Sequence, residues 1–132
     1  MKARVKWVEN ETFVGTSQSQ HSFVFSGDPE QSASPMEFVL MGLGSCSAID
    51  VVDILKKGRA EVISCHVEVE AERAQTIPKV FTKIHMKFVV KGKDLNQKKV
   101  KRAISLSADK YCSISRMIEK SVKLSQSYEI IE

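Results

Sequence analysis

The sequence predicts an α+β domain with antiparallel sheets around one long buried helix. Three observations predict it. Strand-period alternation occurs at the start, middle and end of the chain; a helical stretch contains a run, residues 38–49, with no charge at all; and the elements follow one another as three strands, helix, two strands, helix pair, strand. At 132 residues the chain is one domain, residues 1–132, and long enough to bury a core.

The first strand is marked by Ala3, Val5 and Trp7 alternating with Lys2, Arg4 and Lys6, a half-buried pattern. A second strand covers residues 12–16, and after Ser17-Gln-Ser-Gln20 a third covers residues 21–26, ended by Gly27-Asp-Pro29. Ser34, Pro35 and Glu37 then form a helix-start signature, with Ser34 as cap. The helix runs to Lys56 and Lys57, cations that suit the negative end of its dipole, and stops at Gly58. An amphipathic surface helix would carry charge within residues 38–49, so this helix is expected to be buried on nearly every side, part of its cover coming from a second subunit. Gly42 and Gly44 each cost about 1 kcal/mol in a helix, a cost tolerated where another backbone approaches closely.

Residues 61–73 alternate strictly, Ile63, Cys65, Val67, Val69 and Ala71 facing one way and Ser64, His66, Glu68, Glu70 and Glu72 the other. The next strand turns Ile84, Met86, Phe88 and Val90 inward and Lys83, His85 and Lys87 outward, so acidic and basic side chains meet across an antiparallel pair. Asp94 and Gln97 read as a capping box for a helix through about residue 107; a short helix covers residues 113–120 and a last strand residues 122–131.

Composition narrows the function. With 42% hydrophobic and 27% charged residues the chain is globular rather than disordered. Its net charge of +4 is spread out, and the one tight run, Lys98-Lys-Val-Lys-Arg102, reads as a solvated helix face with no interleaved aromatics, so no nucleic-acid partner is expected. The N-terminus has no signal-peptide core, and residues 38–49 fall short of the roughly 20 that span a bilayer. Three cysteines without framework spacing fit a reducing compartment, and a cytoplasmic protein with no membrane partner is expected. His21, His66 and His85 lie on separate strands with no ligand spacing, so neither a metal site nor a cofactor is expected.

The three thiols differ. Cys65 alternates with Ile63 and Val67 and reads as core filler. Cys46 sits in the uncharged helix, with Asp50 and Asp53 one and two turns on; a carboxylate there could raise the thiol pKa or shuttle a proton, or could simply balance Lys56 and Lys57. Cys112 precedes a helix whose first-turn amides would favour its thiolate, with Arg116 one turn later. Brought together by the fold, Cys46 and Cys112 could form a redox pair; held apart, both are small core hydrophobes.

Pro35-Met-Glu-Phe-Val-Leu-Met-Gly-Leu-Gly-Ser-Cys46, followed by Lys110-Tyr-Cys-Ser-Ile114 and the closing Ser127-Tyr-Glu-Ile130, resembles the OsmC and organic hydroperoxide resistance (Ohr) superfamily, and within it the YhfA-like branch. The resemblance covers essentially the whole chain. It implies an OsmC-like fold, an intertwined homodimer with two long central helices packed together, and active sites at the subunit interface. It also implies that Cys46 attacks a hydroperoxide and becomes sulfenic acid, that Cys112 condenses with it, and that a dithiol reductant, a lipoyl-type dithiol being one candidate, restores both.

Two family features are out of place. The family's glutamate directly follows the proline, where this chain has Met36; Glu37 stands one residue later, about 100° around the helix. The family's arginine lies near the start of the second strand, where this chain reads Asn10-Glu-Thr-Phe13; Arg4 belongs to the preceding strand. The leading reading is a peroxiredoxin-like, thiol-dependent peroxidase reducing organic hydroperoxides or related oxidants in oxidative-stress defence. Cys46 is its nucleophile and Cys112 its resolver, with Glu37, Arg4, Asp50 and Arg116 as helpers. The alternative is a non-enzymatic member that binds a small hydrophobic or acyl ligand in the interface cleft.

Overall fold

The structure is a computed structural model that describes residues 1–131. The chain forms two compact units, Met1–Val39 and the part from Leu40 onward. In the first, β1 (Ala3–Glu9), β2 (Thr12–Ser17) and β3 (Ser22–Ser26) form an antiparallel sheet in the order β1-β2-β3. The Trp7 indole N–H donates to the Asn10 carbonyl at 2.8 Å and closes the β1–β2 turn, where Asn10 adopts a φ of 48°. Where the alternation predicts a half-buried first strand, all seven residues of β1 are exposed, because only β2 pairs with it and nothing in its own unit covers its apolar face. Chain entry into α1 (Pro35–Lys57) is fixed by a reciprocal cap. The Ser34 amide donates to Glu37 Oε1 at 3.0 Å, and the Glu37 amide donates to Ser34 Oγ at 3.2 Å. Phe38 packs its ring 4.1 Å from that of Phe25.

The second unit holds the core. β4 (Glu61–Arg73), β5 (Phe81–Lys93) and β6 (Lys123–Ile131) form a sheet with β5 in the middle. Ile84, Met86, Phe88 and Val90 of β5 are all 1% exposed or less, and Leu43, Val51 and Leu55 of α1 and Val100 and Ala103 of α2 (Gln97–Leu106) are buried as well. The β4–β5 pairing is antiparallel and sets Glu68 against Lys87, Glu70 against His85 and Glu72 against Lys83. Not all sheet contacts are antiparallel, however: β6 runs parallel to β5. The chain leaves β5 and returns only after α2, a π-helical turn (Ser107–Tyr111) and α3 (Ser113–Ile118), a crossover that lets the last strand run in the same direction. Both ring nitrogens of His85 meet hydroxyls of β6, Ser125 at 2.7 Å and Ser127 at 2.8 Å, and secure that register.

Three local expectations are corrected. A bulge between Val62 and Ser64 turns Ile63 outward to 56% exposure. The cap of α2 is Asn96, whose side chain accepts from the Lys99 amide at 2.8 Å; Asp94 instead takes a left-handed φ of 59°. And α1, though as long as expected, is not enclosed by its own chain. Its buried residues, Leu43, Gly44, Ser47, Val51 and Leu55, form one stripe, whereas Met41 and Ile49 are 51% and 62% exposed. By length and composition α1 is apolar enough to cross a membrane, but that stripe is packed in the protein's own core. At Gly44 the close neighbour is a side chain rather than a backbone: a Cβ there would stand 3.1 Å from Val69 Cγ2 of β4.

Candidate active site

Cys46 and Ser47 are carried side by side in the middle of α1, and Ser47 falls in register with Leu43, Val51 and Leu55, four residues apart on the buried stripe. The π-helical turn delivers Cys112 to the same place. Its amide donates to the Ser107 carbonyl at 2.8 Å, which ends the turn, and its side chain caps α3. Ser107 is itself anchored to α1, its hydroxyl donating to Asp50 Oδ2 at 3.0 Å with the Ser47 carbonyl 3.5 Å away. Two segments distant in sequence are thus pinned together through buried serines.

The result is a pair of neighbouring free thiols in unlike surroundings. Cys112 is 0% exposed, whereas Cys46 is partly exposed. The Cys112 sulfur accepts from the Ser47 hydroxyl at 3.3 Å and from the Ser115 amide at 3.4 Å. Burial raises the Cys112 thiol, but the Ser115 and Ser47 hydroxyls, the Ser115 amide and the Cys46 thiol together outweigh it and hold it below the usual range. The Ser115 hydroxyl is buried with no hydrogen bond of good geometry, so it acts here as a dipole beside the sulfur. Cys46 moves the other way: burial raises its thiol and the Cys112 sulfur adds to this, against the Ile114 and Ser113 amides, which favour the thiolate. Cys65 stands apart on β4, half-buried and raised by burial alone.

The other residues singled out by sequence have different surroundings. Asp50 accepts from the hydroxyl of Ser107, whose own carbonyl accepts from the Cys112 amide. The Arg116 guanidinium is held by Glu119 at 2.9 Å on the exposed side of α3. Glu37 is engaged in the cap of α1, where the Ser34 amide and hydroxyl hold its carboxyl below the usual range. Arg4 is exposed on β1, opposite Thr16. Among the described residues no three His, Cys, Asp or Glu side chains converge as metal ligands. A cavity of about 380 Å³ adjoins the site and shares Asp50 and Tyr111 with its surroundings; Asp53, Lys57 and Arg102 give it charge of both signs.

Sequence reasoning missed Ser47, Ser107 and Ser115. The signal for Ser47 was available: a serine in the register of Leu43, Val51 and Leu55 is a buried hydroxyl, and a buried hydroxyl needs a partner.

A family model described as OsmC-like protein matches residues 27–127. The chain is 50% identical over 132 residues to Protein YhfA of Escherichia coli strain K12, covering 99% of this chain and 98% of that one. A crystal structure of a hypothetical protein from Aquifex aeolicus VF5 superimposes with a TM-score of 0.90 at 32% identity, covering 98% of this chain and 95% of the other. The organic hydroperoxide resistance protein OhrB of Bacillus subtilis shares the fold, with a TM-score of 0.64 at 15% identity over 98% of both chains. The chain belongs to the OsmC family, and YhfA is among its relatives.

Proposed function

We propose that this protein is a thiol-dependent reductase of organic hydroperoxides or related oxidants, working as a homodimer in a reducing, cytoplasmic setting. Cys46 attacks the peroxide, Cys112 resolves the sulfenic acid, and an external dithiol, for which a lipoyl-type dithiol is a candidate, returns both to thiols. The observation that carries this reading is the neighbouring pair itself: a partly exposed thiol backed by a fully buried one that three serines hold in place. Membership of a family whose fold includes organic hydroperoxide resistance proteins supports the choice of oxidant.

The test is stoichiometric. Reduced protein treated with one equivalent of cumene hydroperoxide should lose two thiols for each cumyl alcohol released, and Cys46→Ser should release none. Alcohol release that survives Cys46→Ser, or no reaction in the native chain, overturns the proposal.

A further inference from the structure

The cavity of about 380 Å³ beside the thiol pair is walled by charges of both signs, drawn from three segments of the second unit. From α1 come Asp50, Asp53, Ile54 and Lys57, spaced as one face of the helix. From α2 come Arg102 and Leu106, one turn apart, and the π-helical turn adds Tyr111. Its volume lies within the range of small-molecule pockets, about 300–1,000 Å³.

Asp53 and Lys57 stand four residues apart, the spacing at which an acid and a base meet along a helix. Even so, among the described residues Asp53, Lys57 and Arg102 take part in no ion pair, although they line one space. Asp50 is different, because its Oδ2 already accepts from the Ser107 hydroxyl. The end of α1 sets little bare negative charge against an incoming anion. Its Ile54, Leu55 and Lys56 carbonyls accept from the Gly58, Ala60 and Arg59 amides. Two free cations and one free carboxylate therefore surround a wall of Ile54 and Leu106.

We propose that this cavity is a binding site for a small amino-dicarboxylate, an amino acid or short peptide with two carboxylates and one ammonium. Lys57 and Arg102 each take a carboxylate, Asp53 takes the ammonium, and the carbon chain between them lies on Ile54 and Leu106. The charge pattern of such a molecule is the complement of the free groups on the walls. A plain dicarboxylate would meet Asp53 as a like charge, and a monocarboxylate would leave one cation unmatched. The cavity adjoins the thiol site at Asp50, which holds Ser107, and at Tyr111, which precedes Cys112. Binding uses neither thiol, so this assignment and the peroxidase reading stand or fall separately.

The experiment is isothermal titration calorimetry on the reduced full-length chain at low salt, with L-glutamate and S-methylglutathione as probes. The second is a tripeptide whose blocked sulfur cannot exchange with the protein's thiols. At least one probe should bind with a Kd of about 1 mM or tighter, and added salt should weaken it. Lys57→Gln and Arg102→Gln, both at exposed positions, should each weaken binding by at least about threefold. Asp53→Asn should weaken the probe yet strengthen glutarate, which has the two carboxylates and no ammonium. Lys101→Gln removes an exposed cation of α2 that does not line this cavity, and should change Kd by less than about 1.5-fold. Three results overturn the proposal: no binding of either probe at about 10 mM, a loss in Lys101→Gln as large as in Arg102→Gln, or Asp53→Asn strengthening probe and glutarate alike.

Discussion

The Ser47 hydroxyl donates to the Cys112 sulfur at 3.3 Å, and with that one bond the residue after one thiol supports the other. The bond is buried at both ends, in a low-dielectric setting where a hydrogen bond is strongest and an unpaired hydroxyl costs most.

Mild oxidation by an organic hydroperoxide should link Cys46 to Cys112 within one chain and leave Cys65 free. Cys65 lies on β4, where Val90 of β5 stands opposite it in the sheet and neither other thiol is its neighbour. Peptide mapping of the oxidised protein checks this. A disulfide containing Cys65, or sulfonic acid accumulating on Cys46 without a disulfide, is the contrary result.

Cys65 also gives a pH dependence whose sign can be worked out. Burial raises its thiol above the unfolded value, so the folded state favours the protonated form. The stabilisation is fully present below the unfolded pKa, near 9.0, and is lost as pH rises through the folded value. Denaturant midpoints should therefore fall above pH 9 in the native chain and fall less steeply in Cys65→Ala.

Single-chain exposure predicts assembly. Met41 and Ile49 lie exposed on an otherwise apolar α1, and in the first unit Val5 and Trp7 are 66% and 62% exposed. Apolar surface of this extent marks an interaction face. A two-fold dimer burying more than about 2,000 Å² is expected, the lower range of obligate assemblies. Light scattering at micromolar concentration checks it, and a stable soluble monomer is the result that counts against it.

How far the sequence carries is visible in particular residues. The cap of α1 was legible because Ser34 and Glu37 act locally, within one turn. The inward face of β5 was legible because period-2 alternation is a local signal too. The cap of α2 was misplaced by two residues because Asp94 and Asn96 are both good caps and only the backbone decides between them. The parallel β6 and the exposure of β1 depend on which distant segments return to pair with or cover a strand, which no local pattern encodes. At the site, motif position picked out both cysteines, but the serines that tune them were hidden: Ser107 acts through a π-helical turn that has no sequence signature of its own.

The end of α1 offers a stability test. Gly58 follows the helix, yet the left-handed position falls on Arg59, with a φ of 65°, while the Ala60 amide donates back to the Leu55 carbonyl at 3.0 Å. A side chain in that conformation costs about 1 kcal/mol that glycine does not. Arg59→Gly should stabilise the chain by roughly 0.5–1 kcal/mol in urea unfolding, with no change in thiol reactivity.

The last prediction sets the missing arginine against activity. Arg4 is exposed on β1 between Lys2 and Lys6, and the Thr16 hydroxyl opposite it is taken by Ser22 at 2.8 Å, so nothing on its own sheet draws the guanidinium to a fixed place. With Arg4 exposed and unpaired on its own sheet, its removal should leave peroxide reduction within about twofold of the native rate across about pH 6 to 9, a difference well under 1 kcal/mol of barrier. Stopped-flow traces for the native chain and Arg4→Ala over that range decide it. A loss of tenfold or more, about 1.4 kcal/mol, with a rise in the pH needed for half-maximal rate, would give Arg4 the role of the family's arginine.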